Sequence, residues 1–194
     1  MSTSNNTTEP PKNLRPLSRY ITTHNPSGLA TFSTTLPETL PVQPIPDGAH
    51  FSLAYTTSST PANISPSPHD TDISQYSTYL KPGNSPGLVI NSGSVCRIVD
   101  MQPNATSPMH RTVSLDYGVV LEGEVELILD SGESRLLKRG DVAVQRGTNH
   151  AWRNVSPDGG WARMLYVLLP AEGINVGGRV LGEELGDMGV RGST

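Results

Sequence analysis

The chain has 194 residues, 35% of them hydrophobic and 16% charged, a length that asks for no more than one domain around one buried core. A net charge of -4 and a pI near 5.7 leave no basic surface able to neutralise a row of phosphates, which argues against nucleic-acid binding. Nineteen glycines and 17 prolines indicate many turns and few long helices, and the single Cys96 rules out an internal disulfide and any multi-cysteine zinc site.

Residues 1–13 are rich in Ser, Thr and Asn, with too little apolar surface to offset the entropy of ordering; a disordered tail is expected ahead of one folded unit over 14–194. No secretory signal opens the chain, and no run approaches the roughly 20 apolar residues of a membrane span, so a soluble cytoplasmic protein is expected. Residues 19–24 and 29–33 read as strands of a hairpin about Asn25-Pro-Ser-Gly28. The prolines of 36–46 are too dense for helix or central strand and predict a surface connector. Alternation predicts a strand over 51–57. Asp70 and Asp72 offer helix caps ahead of 73–80, where Ile73, Tyr76 and Leu80 stand at helical spacing. Residues 88–90 and 94–101 read as further strands, the second with Cys96 as a buried, inert thiol. Every proline except Pro157 and Pro170 lies at or before Pro108, so a loop-rich arm precedes a more regular half.

The stretch 108–154 organises that half. His110, Thr112, Asp116 and Gly123 mark its beginning, and Gly140, Gln145, Gly147, His150 and Asn154 its end, with a hairpin between them about Asp130-Ser-Gly132. A strand over 161–169 follows, and then a glycine-rich tail of weak character.

These residues closely resemble the two signature motifs of the cupin superfamily. In the first, His110, Asp116 and Gly123 fall in register, with Thr112 where the second histidine belongs and Asp116 where the glutamate belongs. In the second, Gly147, His150 and Asn154 match, Gln145 replaces a proline, and Gly140 sits one residue closer than the family spacing. The resemblance implies an all-β fold: a double-stranded β-helix, or jelly-roll, with a loop-rich N-terminal arm and at most short helices.

If the motif histidines point into the barrel as in that family, His110, Asp116 and His150 converge. Two imidazoles and a carboxylate suit a divalent metal, iron(II) first and zinc or manganese after it, and the same three are the candidate acid and base groups. A metal-free barrel, in which Asp116, Thr112 or backbone groups satisfy the histidines, is the competing reading. Thr112 is a candidate for holding a water or a substrate oxygen. Arg146 is a candidate for meeting an anionic group at the barrel mouth, against the plainer reading of a solvated arginine. Trp152 shares the parity of His150 and is a candidate stacking platform, although a core aromatic accounts for it as well. Arg111 and Arg153 fall on the opposite strand faces, where surface pairing is expected. His24, His50 and His69 have no partners in the motifs.

The resemblance to small cupins of microbial natural-product pathways implies a metal-dependent oxidoreductase acting on a small, polyketide-like intermediate. A lyase (decarboxylase or dehydratase) using the same residues and a non-catalytic small-molecule-binding barrel are the alternatives. A homodimer is expected by the same analogy.

Overall fold

The computed structural model describes residues 14–66 and 71–194. The tail expected over 1–13, the cap at Asp70 and His69 therefore lie outside the described residues. The described residues are mostly β, with one α-helix. The opening hairpin forms as β1 (Thr22–His24) and β2 (Ala30–Phe32). Of the proline-rich connector, only β3 (Gln43–Pro44) is strand, and it lies at a sheet edge, where a residue without an N–H is tolerated.

After β4 (His50–Thr57), the helix α1 spans Thr71–Tyr79 and buries Ile73 and Tyr76. The Tyr76 hydroxyl donates to the Leu53 carbonyl at 2.7 Å, and Tyr55 donates to Asp72 in the first helical turn at 2.7 Å. These bonds fasten the helix to β4.

Eight strands build the regular half: β5 (Ser94–Met101), β6 (Ser114–Glu122), β7 (Glu124–Leu129), β8 (Ser134–Lys138), β9 (Val142–Arg146), β10 (His150–Asn154), β11 (Ala162–Pro170) and the hairpin partner β12 (Ile174–Val176), which pairs with β13 (Arg179–Leu181). Two sheets carry the barrel, one of six strands in the order β3-β4-β5-β11-β6-β9 and one of three in the order β10-β7-β8. The chain crosses between them after β6, β8, β9 and β10, giving an open jelly-roll with all named strand pairs antiparallel. Gly132, at φ 88°, supplies the positive angle of the β7–β8 turn.

Between the sheets lies an apolar cluster of Met101, Val120, Val125, Leu137, Trp152 and Met164. Period-two alternation puts them there: Val120 shares its inward parity with Asp116 on β6, while Tyr117 points out, as expected. The arm covers the opposite face of the six-stranded sheet, where Leu17 and Leu40 pack on Ile98. Arg163 clamps it there, with a bidentate pair to Asp100 at 2.6 and 2.7 Å and a bond to the Arg15 carbonyl at 2.9 Å.

Two local expectations are corrected. Residues 88–90 form no strand, although Leu88, Val89 and Ile90 are buried; Val89 and Asn91 bond instead to the backbone of Thr194. Arg111 is not a surface residue. The C-terminal tail folds over it, so that Glu184 pairs with its guanidinium and the Gly182 carbonyl accepts from Nε at 2.8 Å. Arg153 does pair at the surface, with Glu126.

Candidate functional site

His110 and His150 are the centre of the site. Residue 110 precedes β6 and adds a bridge to the free edge of β10, where His110 N donates to His150 O at 2.8 Å and His150 N donates back to His110 O at 2.9 Å. This reciprocal backbone pair fixes the Cα positions and brings the ring centroids to 4.3 Å. Each ring is then oriented by its own loop. His110 Nδ1 lies 2.9 Å from the Pro108 carbonyl and His150 Nδ1 lies 2.9 Å from the Thr148 carbonyl. A carbonyl can only accept, so Nδ1 carries the proton in both rings and each Nε2 keeps its lone pair.

Burial lowers both imidazole pKa values. For His150, with His110 alongside as the second cause, the value falls to about 4. Both rings are therefore neutral near pH 7, as a metal ligand or general base requires.

Gly147 makes the loop ahead of His150 possible. Its φ is 61°, and a Cβ there would lie 2.0 Å from Ile174 of the C-terminal hairpin, which packs directly over it. Asn154, the last motif residue, is a structural tie rather than a site residue. It is buried, its Nδ2 lies within 3.0 Å of the Met101, Gln102 and Gly160 carbonyls, and its Oδ1 accepts from Ser156 N.

Asp116 reaches the same cavity from β6, in the opposite sheet. Its Oδ2 is 3.5 Å from the Thr112 hydroxyl, which also meets Ser114 at 2.7 Å, and its Oδ1 is buried without a partner. Burial raises its pKa to about 6 against the opposing effect of Ser114 and Thr112. The three expected residues line one cavity, and within it the imidazoles meet while the carboxylate is turned toward Thr112 and Ser114. Among the described residues, no three His, Cys, Asp or Glu side chains are grouped as a ready-made metal site. The donor chemistry fits a divalent metal nonetheless, with two lone-pair Nε2 atoms and one unpartnered carboxylate oxygen on the same cavity.

The cavity encloses about 790 Å³ including its open mouth. Barrel residues Val99, Met101, Trp152, Tyr166 and Leu168 give it mainly apolar walls, completed by Phe51 of the arm and Met188 of the tail. Trp152 is a core aromatic that also reaches the cavity wall. It stands edge-on to His150 at 5.8 Å and to Tyr166 at 5.7 Å. Thr112 lines the cavity with its hydroxyl already engaged.

Arg146 is corrected. On β9, Ala143 and Gln145 face inward and Val142, Val144 and Arg146 face out, so the side chain that enters the cavity is Gln145, whose Nε2 is buried and unpaired. Sequence reasoning also passed over Arg97, Tyr166 and Met188. The parity of β5 could have revealed Arg97, since it alternates with Val99 and Met101; no periodic signal marks Met188. His24 and His50 lie away from the site.

The chain is similar in sequence to known proteins. Residues 97–167 match the model of the cupin domain. The chain is 52% identical to phomopsin biosynthesis cluster protein D of Diaporthe leptostromiformis, over 87% of this chain and 86% of that one. It is 48% identical to oryzines biosynthesis cluster protein J of Aspergillus oryzae, over 92% and 97% respectively. With the cupin-domain-containing oxidoreductase virC of Hypocrea virens it shares 43% identity over 86% and 82%.

Proposed function

The chain belongs to the cupin superfamily, and from that premise we propose that it is a metal-dependent oxidoreductase acting on a small, largely apolar intermediate of fungal natural-product biosynthesis. One observation carries the reading: a closed pair of neutral imidazoles, both with Nε2 free, at the wall of an apolar cavity. Relatives named as cupin-domain oxidoreductases and as biosynthesis-cluster proteins support the reaction class and the setting.

His110 and His150 would hold the metal through Nε2, with Asp116 as the carboxylate donor. Held there, a divalent ion would supply Lewis-acid chemistry and, as iron(II), redox chemistry with dioxygen. The chain's own contributions are distinct from that. The Pro108 and Thr148 carbonyls hold both tautomers, the apolar walls exclude water, and where Asp116 is not a ligand its carboxyl, with a pKa of about 6, can take or give a proton. That last property also favours a lyase as the second reading, because a carboxylate with a pKa of about 6 suits proton transfer to or from a carbon skeleton.

The test is metal analysis of tag-free protein reconstituted with iron(II), zinc or manganese. One equivalent is expected in the parent and little in His110→Ala or His150→Ala, while His24→Ala and His50→Ala keep it. Full metal content in His150→Ala would sink the assignment. Oxygen consumption with the cluster's intermediates then separates oxidation from lysis.

A further inference from the structure

Three arginines are buried in the described structure, and two of them have a carboxylate: Arg163 has Asp100, and Arg111 has Glu184. The third, Arg97, has none among the described residues. It sits at 4% exposure on the inner face of β5, directly across from Tyr166 on β11. One N–H bond, from Nη2 to the Gly87 carbonyl at 2.9 Å, is its single hydrogen bond to the described residues. Its guanidinium carbon stands 4.7 Å from the centre of the Phe51 ring. Both Arg97 and Phe51 line the cavity that holds the histidine pair. A guanidinium taken out of water without a counter-ion carries a desolvation penalty that only a well-placed anion offsets. An aliphatic residue would fill this wall at no such cost.

The far side of Arg97 points the same way. It also lines a neighbouring cleft bounded by Pro44, Gly83, Pro86, Val190 and Arg191, and no Asp or Glu is among the lining residues. The guanidinium is thus reached from two sides: the far cleft has no acid in its lining, and on the histidine side Asp47 and Asp116 line the cavity but neither is paired with Arg97.

We propose that Arg97 is the recognition residue for a carboxylate carried by the substrate, so that the reacting molecule is an organic acid whose apolar body lies along Phe51, Trp152 and Leu168. A single guanidinium in an apolar wall balances one negative charge and offers two parallel N–H groups, which matches a carboxylate; a phosphate dianion asks for more donors than this wall holds. The inference rests on the reading of the cavity as the substrate site, and it adds the substrate class.

The experiment compares matched probes by calorimetry: 4-phenylbutyrate, its neutral amide 4-phenylbutyramide, and phenylphosphonate. The parent protein should bind the carboxylate about tenfold or more tightly than the amide, and Arg97→Gln should lose that preference while still binding the amide. Arg97→Lys should keep part of it. Equal affinity of the parent for acid and amide, no saturable binding of the acid into the millimolar range, or a preference that survives in Arg97→Gln would each overturn the proposal. Tighter binding of the phosphonate would overturn the carboxylate assignment. The comparison on the parent protein stands even if a variant fails to fold. Metal content measured alongside keeps the two readings apart: metal bound without carboxylate preference removes only Arg97's role, and Arg97-dependent carboxylate binding without metal removes only the metal-dependent reaction.

Discussion

Asp116 and Gln145 stand opposite one another in register across β6 and β9, and each leaves a buried polar atom unpaired, Oδ1 in one and Nε2 in the other. Gln145 Oε1 instead accepts from the Thr148 hydroxyl at 2.5 Å, on the loop that orients His150. Both unpaired atoms belong to residues of the cavity wall. Leaving a buried donor or acceptor unmade costs about 1–3 kcal/mol each, so the pair holds unused bonding capacity beside the histidines.

The first prediction concerns Asp116→Asn. In metal-free protein the carboxylate is penalised above its folded pKa of about 6, the penalty grows as pH rises from 3.8 to about 6, and it is complete above that. Asp116→Asn should therefore stabilise the metal-free protein at pH 7.5 by up to about 2–3 kcal/mol, and by little below pH 3.8. In a chelator competition the same variant should bind metal much more weakly. Denaturation at the two pH values checks the first arm, and unchanged metal affinity would remove Asp116 from the ligand set.

His150 gives a slope of the opposite sign. Its folded pKa of about 4 lies below the ordinary 6.5, so folding stability is unpenalised above pH 6.5 and falls as pH drops through that window. The two groups oppose each other between about pH 4 and 6, and the histidine effect should be cleanest in the Asp116→Asn background. An NMR titration of the His150 ring with a midpoint near 6.5 would contradict its burial.

Asn154→Ala should act on folding alone. The substitution removes the Asn154 bonds to the Met101, Gln102 and Gly160 carbonyls and to Ser156 N, with the Gln102 carbonyl keeping Ala105 N, a loss of about 2–4 kcal/mol. Urea denaturation measures it. Metal stoichiometry of the folded fraction should match the parent.

A homodimer is predicted through the free edge of the six-stranded sheet. β9 ends that sheet and turns Val142 and Val144 outward at 57% and 54% exposure, beside the half-exposed Tyr117 of β6. An apolar edge of this kind invites pairing with a second copy. Light scattering should give a dimer for the parent and a monomer for Val144→Glu, with unchanged circular dichroism; a monomeric parent would refute it.

Much of this architecture could be read from residue order, because it depends on local rules. Motif spacing marked His110, Asp116 and His150, and period-two alternation put Thr112 on the face of His110 and Trp152 on the face of His150. That same rule, applied to β9, would have turned Arg146 outward and Gln145 in. What escaped was set by contacts distant in sequence. Leu88, Val89 and Ile90 carry strand-like composition but find no strand in register, and the partner that fixes them is the far end of the chain. Arg111 has surface parity and is buried only because residues 182–184 fold back over it. Asp116 has the ligand register, yet which way its carboxyl turns is decided by Thr112 and Ser114.

The cavity wall is drawn from three stretches of very different constraint. The histidine pair is locked by its own backbone and by two carbonyls, whereas Phe51 comes from the arm and Met188 from a glycine-rich tail that carries no motif. Mutation can therefore reshape what the cavity admits without disturbing the histidine pair. The two ends of the chain are free to drift, and the shape of the cavity with them, while the middle that carries both histidines stays as it is.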